Sequence, residues 1–594
     1  FPQVSVNGYK FRTGSIKAAT DKNFLTFNTT FQRVELSDSV WIDGIRIAST
    51  LANDTMNFNL KWNTNTGTQY VGDIPGFVSF SEKPKVKLSL LPSSIPIADS
   101  IWNINSDNEV MIDSSFIRIK NLDFICGRQQ VKVEGTISKV KEDKMYLILS
   151  SFSLANFNSF LRGTGFAVYG TISGNTSIGN IYDNPIFGSS MDIHSMKVNN
   201  ELIGDGNLLS VYDSQKEMIA FNGGFIRDEV GNMKFSGNYY PSKKDSSIEM
   251  DAEVHNFRME FFEPFIKGNL ENLKGVASAE LKINGTPGQP QLTGIVKTKV
   301  DNAFVNYLGT NYHFEGDIRI EPTSFDFSNL TIYDVNQNSA KVINGKIFHA
   351  NFKNFQMDFD MKTDKLLCLN TTEKDNSIYY GKFFATGIMN VFGYFDNINL
   401  SANVKTDKAK NSVGKYEYTQ LFIPLSGSEE VSENSFISFV KNDTATKVKP
   451  PKYKVNTTGF TMDFKLEATP DAQVQLIFDE KVGDIIKASG KGNIEMKVNE
   501  FGDFKMYGDY TVEGGDYLFT LKNVVNKKFR LENGGTLRWS GNPEQAEINM
   551  NAVYEVRSSL TPLFYEHEQT EATRKRHHVD LLMNLSGKLL EPDI

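Results

Sequence analysis

The chain has 594 residues and a mildly acidic balance, with 63 Lys and Arg against 71 Asp and Glu. This charge provides no basic field for phosphates, so we exclude nucleic acid as a partner. No apolar stretch is long enough for a membrane-spanning helix or resembles a signal peptide. Cys126 and Cys368 match neither a CxxC pair nor a disulfide scaffold, and we expect both thiols to be buried.

Alternating side chains predict β-strands along almost the whole chain. Residues 85–90 (KVKLSL), 279–284 (AELKIN), 355–361 (FQMDFDM) and 493–498 (NIEMKV) carry an apolar side chain at every second position. This alternation puts the apolar side chains on one face of a pleated sheet and the polar ones on the other. The apolar face then packs on a second sheet, closes into a barrel, or curls around a foreign apolar molecule. The predicted class is all-β with few short helices.

Taken in chain order, the elements predict a repetitive sheet in five segments. Residues 1–155 form a β repeat region with a truncated start, since residue 1 is not Met, and residues 156–265 form a repeat with a short aromatic helical segment. Residues 266–404 form another repeat. Residues 405–455 are a polar insertion or long connection, and residues 456–594 are a C-terminal β domain with a truncated end.

A glycine between two apolar neighbours marks the predicted repeat. Gly135, Gly237 and Gly345 occupy equivalent places in the pattern apolar-x-Gly-x-apolar, roughly a hundred residues apart. Such self-similarity is typical of an array in which each unit contacts its neighbours. Because glycine weakens a strand unless the backbone bends or another chain comes close, we expect a long sheet that curls repeatedly.

Few residues point to chemistry. No Gly-rich phosphate loop, HExxH motif or nucleophile elbow occurs, so we predict no catalytic residue and no enzyme. His567, His577 and His578 lie near carboxylates, but a charged hairpin tip explains them, and we assign no metal and no cofactor. Four Asp-Ser/Thr-apolar triplets resemble an O-glycosylation pattern of some Gram-negative periplasms; their candidate residues are Ser39, Thr55, Ser100 and Thr444.

The last 130 or so residues carry the motifs of a known family. Residues 479–490 (DEKVGDIIKASG) lead to 508–517 (GDYTVEGGDY) and 534–543 (GGTLRWSGNP). Together these resemble the C-terminal domain of the TamB family, the translocation and assembly module subunit within the larger AsmA-like group. Residues 285–294 (GTPGQPQLTG) resemble the inter-strand signature of the same family, which extends the resemblance to residues 156–594.

The resemblance implies a fold, a location and partners. Its family fold is a long curled sheet, a taco-shaped groove with an apolar lining. Family members are anchored in the inner membrane by an N-terminal helix outside the present residues, and they cross the periplasm to an outer-membrane barrel of the Omp85 type, similar to TamA or BamA. The resemblance therefore implies a conduit that carries phospholipid between the two membranes of a Gram-negative envelope, with bound lipid in place of a cofactor.

The alternating strands identify the side chains that would line such a groove. We predict an apolar trough formed by Leu281, Ile283, Ile318, Ile320, Phe355, Met357, Phe359, Met361, Val474, Leu476, Phe478, Ile494, Met496 and Val498. Two alternatives stay open. In the first, the same residues form a dry sandwich core. In the second, the chain is an assembly factor that inserts or secretes outer-membrane proteins by offering edge strands.

Overall fold

The protein is almost entirely β-sheet, as the alternation predicted. The computed structural model describes residues 2–593 except 7–8, 22, 38–39, 64–70, 81–84, 98–99, 159–160, 162–166, 200, 228–230, 267, 377–378, 412, 426–459, 480–483, 502, 522–524 and 566–569. Strands make up 76% and helical turns 4%, and the described strands number 39 in one mixed sheet. The all-β class is therefore confirmed.

The chain divides into two compact units. Unit 1 comprises Phe1–Phe257 with Ser278–Leu292, and unit 2 comprises Arg258–Ala277 with Thr293–Ile594. Strands β20 (Leu270–Thr286) and β21 (Gln289–Val305) contribute residues to both. The five segments predicted from the sequence stay a prediction, with residues 426–459 of the polar segment outside the described residues.

Unit 1 contains the strands β1 to β19. Their bounds are, in order, Gln3–Val6, Tyr9–Asp21, Phe24–Ser37, Val40–Ala52, Thr55–Asn63, Val71–Ser79, Val86–Leu90, Ser93–Ile97, Ser100–Ile104, Glu109–Ile112, Phe116–Cys126, Gln129–Ser138, Lys144–Ser153, Val168–Gly179, Ile186–Val198, Glu201–Asp213, Met218–Arg227, Gly231–Tyr239 and Ile248–Arg258.

Unit 2 contains the strands β22 to β39. Their bounds are, in order, Thr310–Glu321, Ser324–Asp326, Thr331–Asp334, Ser339–Ala350, Lys353–Thr371, Tyr380–Tyr394, Asn397–Thr406, Lys408–Lys410, Tyr416–Pro424, Phe460–Ala468, Ala472–Asp479, Asp484–Val498, Phe504–Leu521, Val525–Leu531, Thr536–Gly541, Glu547–Ser559, Arg576–Lys588 and Glu591–Asp593.

Helical turns are short. The 3₁₀ turns are Leu154–Phe157, Met259–Phe262, Pro543–Gln545 and Thr561–Leu563, and the α-helical turns are α1 (Glu263–Ile266) and α2 (Glu571–Arg574). The turn Met259–Phe262 followed by α1 lies where the aromatic sequence predicted a brief helix. No helix of the described residues is long and apolar enough to cross a bilayer.

A crease crosses consecutive strands of unit 1. The pairing register shifts after Leu149 in β13, after Tyr169 in β14 and after Ile193 in β15. At these shifts Ser151, Gly170 and Ser195 have positive φ angles of 47°, 114° and 49°. A bulge with a left-handed residue bends its strand and increases the local twist. The aligned bulges therefore bend each strand of this region at the same level, as a curling sheet requires.

Unit 2 combines creases with forked strands. β27 pairs with β28 over Ala385–Tyr394 and with β30 over Tyr380–Lys382. The two branches continue through the parallel pairs β28–β31 and β30–β32, and both end on β33. β27 and β33 therefore each have two halves with different neighbours. We call the two sets of halves leaf A (residues 380–385, 419–424, 472–477 and 485–489) and leaf B (residues 387–394, 397–406, 461–468 and 492–498).

Candidate functional site

One face of the sheet in unit 1 carries a single layer of apolar side chains. On β17 and β18 the alternate residues Phe221, Phe225, Met233 and Phe235 point to one side and are all half-buried. Ring centroids of Phe221 and Phe235, and of Phe225 and Phe235, are 6.4 Å apart. We call this surface, from β16 to β19, the inner face.

A glycine lies next to a ring of the inner face. Gly206 pairs with Phe225 across β16 and β17, and a Cβ atom at Gly206 would lie 2.4 Å from the Phe225 ring. The Phe225 ring therefore lies against the backbone of Gly206, in space that the side chain of any residue larger than glycine would occupy. The result is a flat apolar surface, because rings that cover their own sheet do not project far from it.

The inner face belongs to an open depression. A depression of about 930 Å³ is bounded by β16 to β19. Phe225, Met233 and Phe235 are among its walls, and most of its other walls are residues that point to the opposite face of the same strands, such as Asn222, Ile226 and Lys234. Its volume falls in the range of small-molecule sites, roughly 300–1,000 Å³. Among the described residues of unit 1, only six apolar side chains are fully buried.

The apolar face of unit 2 is closed by contrast. Fifty apolar side chains are buried in its described part, and thirty-five buried residues form one continuous cluster. Side chains of leaf A and leaf B meet there: Leu476 and Ile486 of leaf A line the same narrow cavity as Leu466 and Ile494 of leaf B. We call this contact between the leaves the seam.

Two small apolar cavities remain in the seam. One is about 40 Å³ and the other about 60 Å³, and Phe383, Leu421, Ile423 and Met496 line both. Both are smaller than the engineered cavity of roughly 150 Å³ that admits benzene. The seam as it stands is thus too narrow for a lipid tail. A hydrogen bond of 2.6 Å joins the hydroxyls of Tyr307 and Tyr379 beside the larger cavity.

The residues predicted to line a trough divide between these environments. Leu281 and Ile283 are half-buried in unit 1. Ile318 is buried with Leu330 and Val342, and Ile320, Phe359 and Met361 pack on this small cluster. The remaining residues lie in unit 2: Phe355, Met357, Val474 and Phe478 are half-buried, while Leu476, Ile494, Met496 and Val498 are buried.

The structure therefore brings part of the predicted trough together. Val474, Leu476, Ile494 and Met496 line the smaller cavity of the seam. The trough assignment of all fourteen residues stays a prediction, and for the buried ones the seam resembles the sandwich-core alternative.

The face opposite the apolar one is polar and carries ion pairs between strands. Lys382 and Glu417 approach to 2.9 Å, and Lys408 and Asp471 to 2.8 Å. In unit 1, Lys87 pairs with Glu109, and this hydrogen bond lowers the pKa of the Glu109 carboxyl. The alternation thus gives each unit one wet face.

The other candidate residues do not come together in one site. Thr55 and Ser100 begin β5 and β9 and are half-buried, whereas Ser39, Thr444 and His567 lie outside the described residues. His577 Nε2 lies 2.6 Å from the Ala572 carbonyl oxygen, and His578 Nδ1 lies 3.2 Å from Asp580. In the part of the chain that the structure describes, no group of three His, Cys, Asp or Glu side chains is arranged to hold a metal ion. Cys368 is buried and Cys126 half-buried.

Sequence reasoning missed two polar residues of the seam. Tyr510 and Trp539 are 3% and 5% exposed and line the smaller cavity. Burial raises the pKa of the Tyr510 hydroxyl, which therefore stays protonated. Both residues belong to the Gly-rich motifs at 508–517 and 534–543. The available signal was an aromatic residue with a donor group in each of these two Gly-rich motifs.

The geometry defines an all-β protein with a one-sided apolar sheet, and comparison with known proteins agrees for its C-terminal part. Residues 328–594 match the sequence model of the TamB C-terminal domain, so the C-terminal part of the chain is similar to that domain. Searches of curated proteins and of solved structures gave no match. The similarity supports a location in a Gram-negative cell envelope and a function related to the translocation and assembly module; the TamB family works with an outer-membrane partner.

Proposed function

We propose that the chain carries phospholipid between the inner and outer membranes along its apolar sheet face, without a catalytic step. The observation that supports this most is the inner face of unit 1, where aromatic rings are half-buried beside an open depression of about 930 Å³. An apolar surface of this kind is stabilised by any acyl chain that covers it. The proposal includes the anchor in the inner membrane and an Omp85-type partner that the TamB family implies.

Burial explains both the holding and the movement of a lipid. Each methylene removed from water contributes about 0.8 kcal/mol, so an acyl chain is held firmly by contact with the rings. Because the rings recur along successive strands, a tail that slides from one strand to the next keeps nearly the same buried area. Headgroups stay in water, since the described inner-face rings lie in an open depression.

A pair of positions on opposite faces tests the proposal. Phe225 lies on the inner face, whereas Val211 on β16 is 61% exposed, points to the other side and lies outside the depression. We expect a photo-crosslinking residue at position 225 to capture phospholipid in cells, and the same residue at position 211 to capture much less. Equal capture at both positions, or none at either, would contradict a one-sided lipid path.

One observation favours the second candidate, an assembly factor for outer-membrane proteins. β38 pairs with β37 along its whole length, but among the described strands its other edge is paired only at Ser586–Lys588. Leu581 and Leu582 on this strand are 54% and 71% exposed. An edge of this kind is a template for strand addition.

Lysine substitutions on this exposed edge distinguish the assembly-factor function from lipid transport. Leu581→Lys with Leu582→Lys should abolish binding of an unfolded outer-membrane barrel protein and leave lipid capture at position 225 intact. Leu563→Lys is the matched control, because Leu563 is 76% exposed but lies in a turn. Client binding that survives the lysines rules out this edge as the client site.

A further inference from the structure

Two hydrogen-bond donors are buried in the seam without an acceptor. Tyr510 and Trp539 line the cavity of about 40 Å³, whose other walls are largely aliphatic. Among the described residues, neither the Tyr510 hydroxyl nor the Trp539 indole N–H has a hydrogen-bond partner. A buried polar group without a partner costs about 1–3 kcal/mol, so a fold rarely keeps two in one place.

The two donors lie side by side on one face of adjacent strands. Tyr510 on β34 pairs with Leu537 on β36, and Trp539 pairs with Gly508, so Tyr510 and Trp539 are diagonal neighbours. Diagonal neighbours in antiparallel strands are about 7–8 Å apart, within reach of large aromatic side chains.

Other polar groups of the same cavity are already satisfied. Thr406 Oγ1 accepts a hydrogen bond from the Thr469 backbone N–H at 2.8 Å and lies 2.9 Å from Thr469 Oγ1. Thr419 Oγ1 donates to the Asp407 carbonyl at 2.8 Å and accepts from the Phe384 N–H at 3.0 Å. The cavity therefore offers two free donors, and the oxygen of the Tyr510 hydroxyl is its one free acceptor among the groups named here.

We infer that Tyr510 and Trp539 form a recognition site for the carbonyl group of a fatty acyl chain. A carbonyl oxygen accepts two hydrogen bonds and donates none, which matches two donors without an acceptor. Its hydrocarbon tail matches the aliphatic walls. A phosphate or another anion is disfavoured, because no Lys, Arg or His lines the cavity. A water molecule matches less well, because only the Tyr510 hydroxyl oxygen offers an acceptor for its two hydrogens.

The site rests on the proposed lipid function and adds a step to it. Since the seam holds only about 40 Å³ and about 60 Å³ in two cavities with four shared wall residues, a tail enters only when the leaves part. Parting joins the two cavities into one apolar track. The two donors then mark where along this track an acyl carbonyl is held.

Binding of matched lipids to the full chain tests the site. The probes are a diacyl phosphatidylethanolamine, the dialkyl ether lipid of equal chain length, which lacks carbonyl groups, and methyl palmitate, an uncharged ester with a single acyl chain. We expect the wild type to bind the diester about tenfold more tightly than the diether, since two hydrogen bonds are lost. Tyr510→Phe with Trp539→Phe should bind both lipids equally. Tyr517→Phe, a buried hydroxyl on the same strand outside the cavity, should keep the preference.

Single variants keep the test decisive if the double variant does not fold. Tyr510→Phe removes only an unpartnered hydroxyl, so it should raise the melting temperature of the lipid-free chain and reduce the ester preference about threefold. The infrared band of a ¹³C-labelled ester carbonyl should shift to a lower wavenumber on binding to the wild type and shift less on the variant.

The outcomes separate this inference from the proposed function. Equal binding of diester and diether by the wild type overturns the carbonyl site and leaves the lipid conduit standing. Absence of binding by either lipid overturns both. Binding of methyl palmitate in preference to the diester supports the site and assigns its carbonyl to a lipid with a single acyl chain.

Discussion

Unit 1 and unit 2 are both built from strands with alternating side chains, yet the apolar side chains are far less buried in unit 1 than in unit 2. Fully buried apolar side chains number six in the described part of unit 1 and fifty in that of unit 2. In unit 1 the rings of Phe221, Phe225 and Phe235 lie half-buried on their own sheet. In unit 2, Leu476 and Ile494 face each other across the seam with 2% and 5% exposure.

The difference shows what decides whether the apolar face of a sheet is exposed or buried in a core. The forked strands β27 and β33 of unit 2 have two halves with different neighbours, and the side chains of the two leaves meet in the seam. Apolar area removed from water contributes about 25 cal/mol per Å², so the leaves hold themselves together. The open face of unit 1 lacks that contribution among the described residues, and an amphiphile that covers it would supply it.

Aspartate substitutions on the two apolar faces should give the largest difference in stability between the units. Leu476→Asp places a carboxylate in a closed seam and should lower the free energy of unfolding of unit 2 by about 4 kcal/mol or more. Phe225→Asp should cost unit 1 only about 1–2 kcal/mol, because water reaches the half-buried position. Denaturant titrations followed by hydrogen exchange assign each loss to its unit.

Two conservative variants serve as controls for this pair. Leu476→Met and Phe225→Leu keep an apolar side chain and should each cost less than about 1.5 kcal/mol. If the two Asp variants lose stability equally, the inner face of unit 1 is a packed core, and the sandwich-core alternative applies to both units.

The two cysteines sharpen the comparison, since each unit has one. Cys126 on β11 is half-buried, and Cys368 on β26 is buried with a pKa raised to about 12 by desolvation. At pH 8 about one Cys368 thiol in 10⁴ is ionised, so maleimide should label Cys126 at least about a hundredfold faster.

Raising the pH should accelerate Cys368 labelling until the pH approaches 12, because the thiolate is the reactive form. Cys126→Ser and Cys368→Ala identify the two signals by mass spectrometry. Rapid labelling of Cys368 at pH 8 would show that the seam opens often without lipid.

Ion pairs on the wet faces should give the smallest effects and no difference between the units. A hydrogen bond from Lys87 lowers the pKa of Glu109 in unit 1, and one from Lys382 lowers the pKa of Glu417 in unit 2. A lowered pKa in the folded state contributes stability above the unfolded pKa, and this contribution is lost as the pH falls.

Glu109→Gln and Glu417→Gln should therefore each cost about 1 kcal/mol or less at pH 7 and flatten the loss of stability between about pH 5 and pH 3. Thermal melting of each variant across this pH range measures both effects. A much larger effect in one unit would show that its polar face is not solvated.

The sequence predicted the fold better than the site. Alternation at 355–361 and 493–498 predicted strands that the structure contains, and the motifs at 479–490 and 534–543 identified the TamB C-terminal domain. Tyr510 and Trp539 were not predicted as site residues, because a lone hydroxyl or indole in a strand does not reveal whether its neighbours offer an acceptor. That depends on which strand lies opposite.

By itself the sequence determined that the protein is all-β, that each alternating strand has one solvent-exposed and one apolar face, and that its C-terminal part resembles the TamB C-terminal domain. Only the tertiary structure decided what covers the apolar face. Phe225 and Leu476 occupy equivalent places in alternating strands, but one lies in an open depression and the other in a closed seam. The physical reason is that alternation has a period of two residues and fixes the side of the sheet, whereas bulges, forks and register, set by contacts far apart in the chain, fix what that side meets.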